Sequence, residues 1–325
     1  MTAKDNTSTK RPLIILTGPT AVGKTALSIG LAKAIQGEII SADSMQVYRG
    51  MDIGTAKITK EQMDGVPHHL IDIMDPSDSF HVMAFQQKCK EAMEDIYARH
   101  KIPILVGGTG FYIQSVLYDI SFTETDTDIE YRQELQKIAE EQGGYVLHAR
   151  LAKIDPEAAD EIHPNNVKRV IRALEFNHQT GEKISIHNEQ ERQKKSPYQF
   201  RYYVLSLPRE ILYDRINRRV DVMRRDGLVD EVKGLLQQGI TPNMVSMQGL
   251  GYKEIIDALQ GSCSFEEAFE RIKRETRHFA KRQFTWFRRE RDVTWIDKET
   301  YENEDAILQY MIEDLKNAHI LPADQ

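Results

Sequence analysis

The run Leu13-Ile-Ile-Leu16-Thr17-Gly18-Pro19-Thr20-Ala21-Val22-Gly23-Lys24-Thr25 decides the fold. An apolar stretch leads into a loop bounded by Gly18 and Gly23, and the segment after it carries Leu27, Leu31 and Ile35 on one helical side. Strand, glycine-bounded loop and helix, in that order, form the context of a phosphate-binding P-loop of the nucleotide- or ATP-binding kind. The glycines let the backbone wrap so that successive N–H groups point at one anion, and the helix adds its positive N-terminal end. Lys24 supplies a cation for an outer phosphate, and the Thr25 hydroxyl is placed to ligate Mg²⁺. Gly18, Pro19, Thr20, Ala21, Val22, Gly23, Lys24 and Thr25 are therefore the candidate phosphate site. The expected fold is α/β, a P-loop NTPase-like parallel sheet flanked by helices.

Outward from that loop, Gly37-Glu-Ile-Ile-Ser-Ala-Asp43 reads as a short strand ending in a carboxylate. Ligands of open α/β sheets gather beyond the carboxyl ends of the strands, so Asp43 is expected beside the phosphate loop. It is either a general base for a bound acceptor or a turn carboxylate. Ser44, Met45 and Gln46 follow at once, and a Gln side chain can pair two-pronged with an adenine edge. His68 and His69 precede a strand-like run, Leu70-Ile-Asp-Ile73, and without further ligands they are poor metal evidence. Residues 82–100 read as a helix with Phe85, Met93 and Ile96 on one side. Ile102-Pro-Ile-Leu-Val106 reads as a buried parallel strand. It ends in Gly107-Gly-Thr109-Gly110, where a motor-type NTPase would offer an acidic metal partner. Thr109 either donates to a phosphate oxygen or heads a plain strand-to-helix turn.

From about Thr123 the texture changes to charged helical segments, with no strand alternation between roughly 125 and 190. The expected organisation is a first part of the core over residues 1–122, a mostly helical inserted domain over 123–200, and the rest of the core with basic C-terminal helices over 201–325. Lys168, Arg169 and Arg172 recur at helical spacing, either facing phosphates or forming a solvated face. Residues 271–291 hold nine Lys and Arg against Glu275 and Glu290. There Phe265, Phe269, Ile272 and Phe279 are expected to be buried. The cations, with Trp286 and Phe287 beside them, form either a polyanion-binding face or a charged outer surface.

The 325 residues carry a formal net charge of −7, so any nucleic acid must be held by a local basic surface. Cys89 and Cys263 lie far apart, which disfavours a disulfide scaffold or zinc site and suits a reducing cytosol. The polar start lacks the apolar core of a leader, and no apolar run approaches the roughly 18 residues of a membrane helix. A cytoplasmic location, no membrane partner and a monomer are expected.

These strings together resemble bacterial tRNA dimethylallyltransferases. The resemblance rests on Gly18 to Thr25, Ser41-Ala-Asp-Ser-Met-Gln-Val-Tyr48, Asp52-Ile-Gly-Thr-Ala-Lys57 and Val106-Gly-Gly-Thr-Gly110. His163-Pro-Asn165, Arg172-Ala-Leu-Glu175, Gly251-Tyr252 and Ala280-Lys-Arg-Gln283 extend it from about residue 12 to 296. It implies transfer of a dimethylallyl group from dimethylallyl diphosphate to the N6 amine of the adenosine 3′ of the anticodon in tRNA. Carried over by motif, Asp43 is the base, and Thr20 to Thr25 hold the diphosphate, with Thr25 on Mg²⁺. Thr109 and Arg219 steady the leaving group. Asp43 to Gln46, Arg132 and the stretch Lys168, Arg169, Val170, Ile171 and Arg172 contact the anticodon arm, as do Lys281 and Arg282 on the basic segment. The alternative reading of the phosphate loop is a small-molecule P-loop kinase.

Overall fold

The computed structural model describes residues 10–122 and 128–322. Tyr118–Ser196 forms one compact unit, and the chain before and after it forms another. The edges of the helical unit thus fall a few residues before the expected 123 and 200, because the next core strand already starts at Tyr198.

In the larger unit the apolar run becomes β1 (Arg11–Thr17), followed by α1 (Lys24–Ile35) and β2 (Glu38–Ala42). Next come the single-turn α2 (Lys60–Met63), β3 (His68–His69), α3 (Val82–Ala98), β4 (Pro103–Gly107) and α4 (Gly110–Leu117). The run Leu70 to Ile73 does not extend β3 as a strand. Leu70 and Asp72 take left-handed φ values of 62° and 55°, which turn the chain away from the sheet.

The helical unit contributes α5 (Ile129–Gln142), α6 (Gly144–Ile154), α7 (Pro156–Glu161), α8 (Val167–Thr180) and α9 (Ile184–Gln193). Its core joins Leu135, Leu147, Leu151, Val170 and Leu174. Asp155 caps α7 through the Ala158 N–H, and Gly181, at φ 72°, ends α8.

The chain then returns to the first unit with β5 (Tyr198–Ser206), α10 (Arg209–Arg225), α11 (Leu228–Gln237), α12 (Tyr252–Leu259), α13 (Phe265–Phe287), β6 (Val293–Asp297) and α14 (Glu304–Asn317). Six strands pair in parallel in the order β3-β2-β4-β1-β5-β6. β1 lies between β4 and β5, so Leu13, Ile14, Ile15 and Leu16 are all fully buried, as a strand covered on both faces requires. The α/β fold is therefore a P-loop-like parallel sheet flanked by helices.

Along α13 the buried line is Ala268, Phe269, Ile272, Ala280, Gln283 and Phe287. Phe269 and Ile272 are as expected, but Phe265 is exposed at the helix start and Phe279 turns to a cleft. The helix packs against α10, α12 and α4, and those neighbours rather than the apolar period choose the face.

Candidate active site

A cleft of about 810 Å³ opens beyond the carboxyl ends of the strands, where β1, β2 and β4 release their loops. β1 hands over to the phosphate loop at Gly18, whose φ of 145° excludes an ordinary side chain; a Cβ there would also stand 2.6 Å from the Leu205 carbonyl. Val22 is fully buried and anchors the loop from behind. Gly23, at φ 97°, starts α1 without any side-chain cap, so the first turn meets the cleft with its amide dipoles uncompensated.

Lys24 folds over this loop, its Nζ donating to the Gly18 and Pro19 carbonyls at 2.9 Å each. Burial lowers its pKa to about 7, the neighbouring charge of Arg219 adds to that, and Asp43 opposes it. Thr25, in the first turn of α1, is exposed and lines the cleft. Among the described residues no three His, Cys, Asp or Glu side chains converge as a metal cage. Mg²⁺ commonly takes only one or two protein oxygens and completes its shell with water and substrate phosphates. The hard hydroxyl oxygen of Thr25 at the mouth of the cradle fits that demand.

Asp43 follows β2 directly. Its Oδ1 accepts from the Met45 N–H at 2.8 Å and the Gln46 N–H at 3.3 Å, a local turn that fixes the carboxylate. The carboxylate acts electrostatically on both Lys24 and Arg219. Arg219, nearly three turns along α10, donates from Nη1 to the Thr20 hydroxyl at 3.5 Å and from Nη2 to the Ala56 carbonyl at 3.4 Å. Burial pulls its guanidinium down from its ordinary value, and Asp43 counters that. The structure thus brings the phosphate loop, Asp43 and Arg219 into one cleft.

Gln46 lines the same cleft, but its amide is loosely engaged, accepting from the Ser41 hydroxyl and donating to the Thr55 carbonyl at 3.4 Å each. Ser44 and Met45 are half-buried, and the Met45 methyl rests against Gly249, where a Cβ would come within 2.5 Å. Thr109 stands at the head of α4, one residue past the cleft-lining Gly108, with its N–H on the Ala42 carbonyl at 3.2 Å. His69 bonds the buried Glu38 at 2.8 Å, while His68 bonds the Val66 carbonyl and lines the cleft.

Two residues of this region bond to partners that no local sequence pattern marks. Gln283 accepts from the Thr20 N–H and donates to the Gly108 carbonyl, both at 2.9 Å. Glu231 accepts from the N–H groups of Asp52, Ile53 and Gly54 at 2.7–3.0 Å and from the Tyr252 hydroxyl at 2.7 Å. It thereby holds the cleft-lining segment Asp52 to Lys57 in place. Apart from the string ending at Gln283, nothing in the sequence marks either side chain, because their partners lie far away along the chain.

The residues expected to meet tRNA divide. Lys281 and Arg282 are exposed on α13, Arg282 lying over the Phe279 ring at 5.8 Å. Among the described residues neither has a carboxylate partner, nor do Arg288 and Arg289, whereas Arg271 and Lys273 are committed to Asp257 and Asp221. On the helical unit Lys168, Arg169 and Arg172 share the exposed side of α8. Val170 and Ile171 do not belong with them: they are 0% and 5% exposed and pack into that unit's core, so their side chains cannot meet a ligand. Arg132 is half-exposed and grips the buried Glu175 with two hydrogen bonds of 2.5 and 2.7 Å.

Residues 46–290 match the family model described as IPP transferase, and residues 12–79 match that of isopentenyl transferase. Over 311 residues the chain is 58% identical to the tRNA dimethylallyltransferase of Lachnoclostridium phytofermentans, covering 96% of this chain and 99% of that one. It is 53% identical over 289 residues to the tRNA dimethylallyltransferase of Bacillus pumilus, covering 89% and 90%. The crystal structure of the tRNA isopentenylpyrophosphate transferase of Bacillus halodurans is similar at 47% identity and a TM-score of 0.71, covering 95% of this chain and 98% of that one. That of a eukaryotic dimethylallyltransferase acting on tRNA is similar at 32% identity and a TM-score of 0.79, covering 97% and 81%.

Proposed function

The chain belongs to the IPP transferase family, and on that premise we propose that it moves a dimethylallyl group from dimethylallyl diphosphate to the N6 amine of the adenosine 3′ of the tRNA anticodon. The products are N6-isopentenyladenosine and diphosphate, and the protein acts as a cytoplasmic monomer. The observation that carries the reading is the placing of one carboxylate, Asp43, beside the two cations Lys24 and Arg219 at the mouth of a phosphate loop.

In this reading N6 attacks the allylic carbon, the carbon–oxygen bond to the diphosphate breaks, and the bond's electron pair leaves on the bridging oxygen. Asp43 takes the amine proton, a contribution of about 10²–10⁴-fold. Lys24, Arg219, the Thr109 hydroxyl and the amide dipoles of α1 are aimed at the charge that develops on the leaving group. Mg²⁺, when bound by the Thr25 hydroxyl, neutralises diphosphate oxygens. Ile53, Ile71, Val222, Met223 and Phe279 provide apolar wall for a five-carbon chain. The target base leaves its stack to enter the cleft, while Lys281 and Arg282 on one unit, and Lys168, Arg169, Arg172 and Arg132 on the other, attract tRNA phosphates.

A small-molecule P-loop kinase, the other reading of the loop, is not favoured by the relatives, whose matches run along nearly the whole chain. Incubating the protein with unmodified tRNA and either labelled dimethylallyl diphosphate or γ-labelled ATP separates the two. Label passing from the allylic donor to tRNA is expected; phosphate passing from ATP to a small acceptor would overturn the proposal. Among the described residues no helix is long and apolar enough to cross a membrane.

A further inference from the structure

Gln283 sits on the inward side of α13, 6% exposed, between the two glycine loops of the cleft. Its carbonyl accepts from the Thr20 N–H and its amide donates to the Gly108 carbonyl, each at 2.9 Å. Thr20 offers only a donor here and Gly108 only an acceptor, so the amide has a single satisfied orientation. The fit is tight as well as polar. A Cβ on Gly108 would stand 2.2 Å from the Gln283 amide nitrogen, so the second glycine of Gly107-Gly-Thr-Gly110 makes room for this contact. Three residues on, Trp286 leaves no room for a Cβ at Gly110, so α13 touches that loop at two successive points.

The Thr20 N–H is spent on Gln283 and the Val22 N–H turns back to the Pro19 carbonyl at 3.4 Å, so the amides left to wrap an anion are those of Ala21, Gly23, Lys24 and Thr25. Among the described residues no other side chain hydrogen-bonds to both loops: Thr17 joins β1 to Gly107 behind them, and Arg219 reaches Thr20 on the first loop and Ala56 outside both.

From this we infer that Gln283 is a positioning residue. It sets the spacing between the diphosphate cradle on one loop and Thr109 on the other, so that both meet the same leaving group. The inference rests on the proposed prenyl transfer and deepens it. It also places the spacer on the helix that carries Lys281 and Arg282, immediately before it in sequence.

Two variants test this, Gln283→Met and Gln283→Glu. Methionine fills the volume but makes neither bond. With stability followed by thermal unfolding and the assay run well below the transition, Gln283→Met should lower kcat roughly tenfold to a hundredfold while tRNA affinity stays at the wild-type level. Glutamate keeps the acceptor for Thr20 but, when ionised, sets a carboxylate oxygen against the Gly108 carbonyl. Protonation restores an O–H donor and with it the wild-type pattern. The ratio of Gln283→Glu to wild-type activity should therefore rise as pH falls from about 8.5 to about 6. A purely structural role would shift the melting temperature without moving that ratio, and a flat ratio or an unchanged kcat in Gln283→Met would overturn the inference. Wild-type protein that transfers no prenyl group would instead sink the proposed function.

Discussion

Replacing Gly107 by alanine tests whether the junction of β2 and β4 is what holds Asp43 against the phosphate loop. Gly107 ends β4 directly opposite Ala42, which ends β2. A methyl group added there would lie 2.2 Å from the Ala42 carbonyl oxygen and 2.4 Å from its carbon. Ordinary contact begins at 3.4 Å, so the strand ends have to part by roughly an ångström. Asp43 moves with Ala42, being the next residue. The Thr109 N–H, on the Ala42 carbonyl at 3.2 Å, and the Thr17 hydroxyl, on the Gly107 carbonyl at 2.6 Å, are disturbed together with it. Overpacking of this kind costs about 1–3 kcal/mol of stability. A misplacement of reacting groups by about 1 Å costs about 10²-fold in rate. Gly107→Ala is thus expected to lower the unfolding midpoint and to slow single-turnover prenyl transfer by about two orders of magnitude. Filter binding of tRNA should stay near wild type, because Lys281 and Arg282 lie on another element. A folded variant with an undiminished single-turnover rate would refute the reasoning, since Asp43 would then tolerate a displaced strand end.

Asp43→Asn retains an oxygen for the Met45 and Gln46 N–H groups and removes only the charge, so transfer should fall by about 10²–10⁴-fold with tRNA binding intact. Full turnover would remove Asp43 as the base. Lys24, held at about 7 by burial, is raised by an anion beside it. Above pH 7 donor binding must then draw in a proton, and affinity should weaken as pH rises. Calorimetry at about pH 8.5 in buffers of different ionisation enthalpy should report proton uptake, and none would contradict the assignment. Neutralising Lys281 and Arg282 together should reduce the slope of log affinity against log salt by roughly two; an unchanged slope would return that face of α13 to plain surface. Gly234 lies inside α11 with nothing within 4 Å of an added Cβ, so Gly234→Ala should raise stability by about 0.5–1 kcal/mol in urea unfolding.

The phosphate loop was legible because its geometry is local. An apolar strand, two glycines and a helix start, all within thirteen residues, dictate where the backbone N–H groups point before any other element is in place. The same holds for Asp43, since a carboxylate one residue beyond a parallel strand has one place to go. Helical spacing likewise set Phe269 and Ile272 on a buried side of α13, apart from its cations.

What it could not show was the partner of each side. Val170 and Ile171 look continuous with Lys168, Arg169 and Arg172 along the chain, but a helix turns about 100° per residue, and tertiary packing sent the two apolar ones inward. Phe279 and Phe265 keep the period of a buried stripe, and only the crossing of α10, α12 and α4 decided that one meets the cleft and the other solvent. Gln283 stands 263 residues from Thr20, and Glu231 stands 179 from Asp52. Bonds over such distances depend on how strands and helices stack. Local pattern therefore determined the strand–glycine–helix form of the loops, and the tertiary structure decided which distant side chains bond to them.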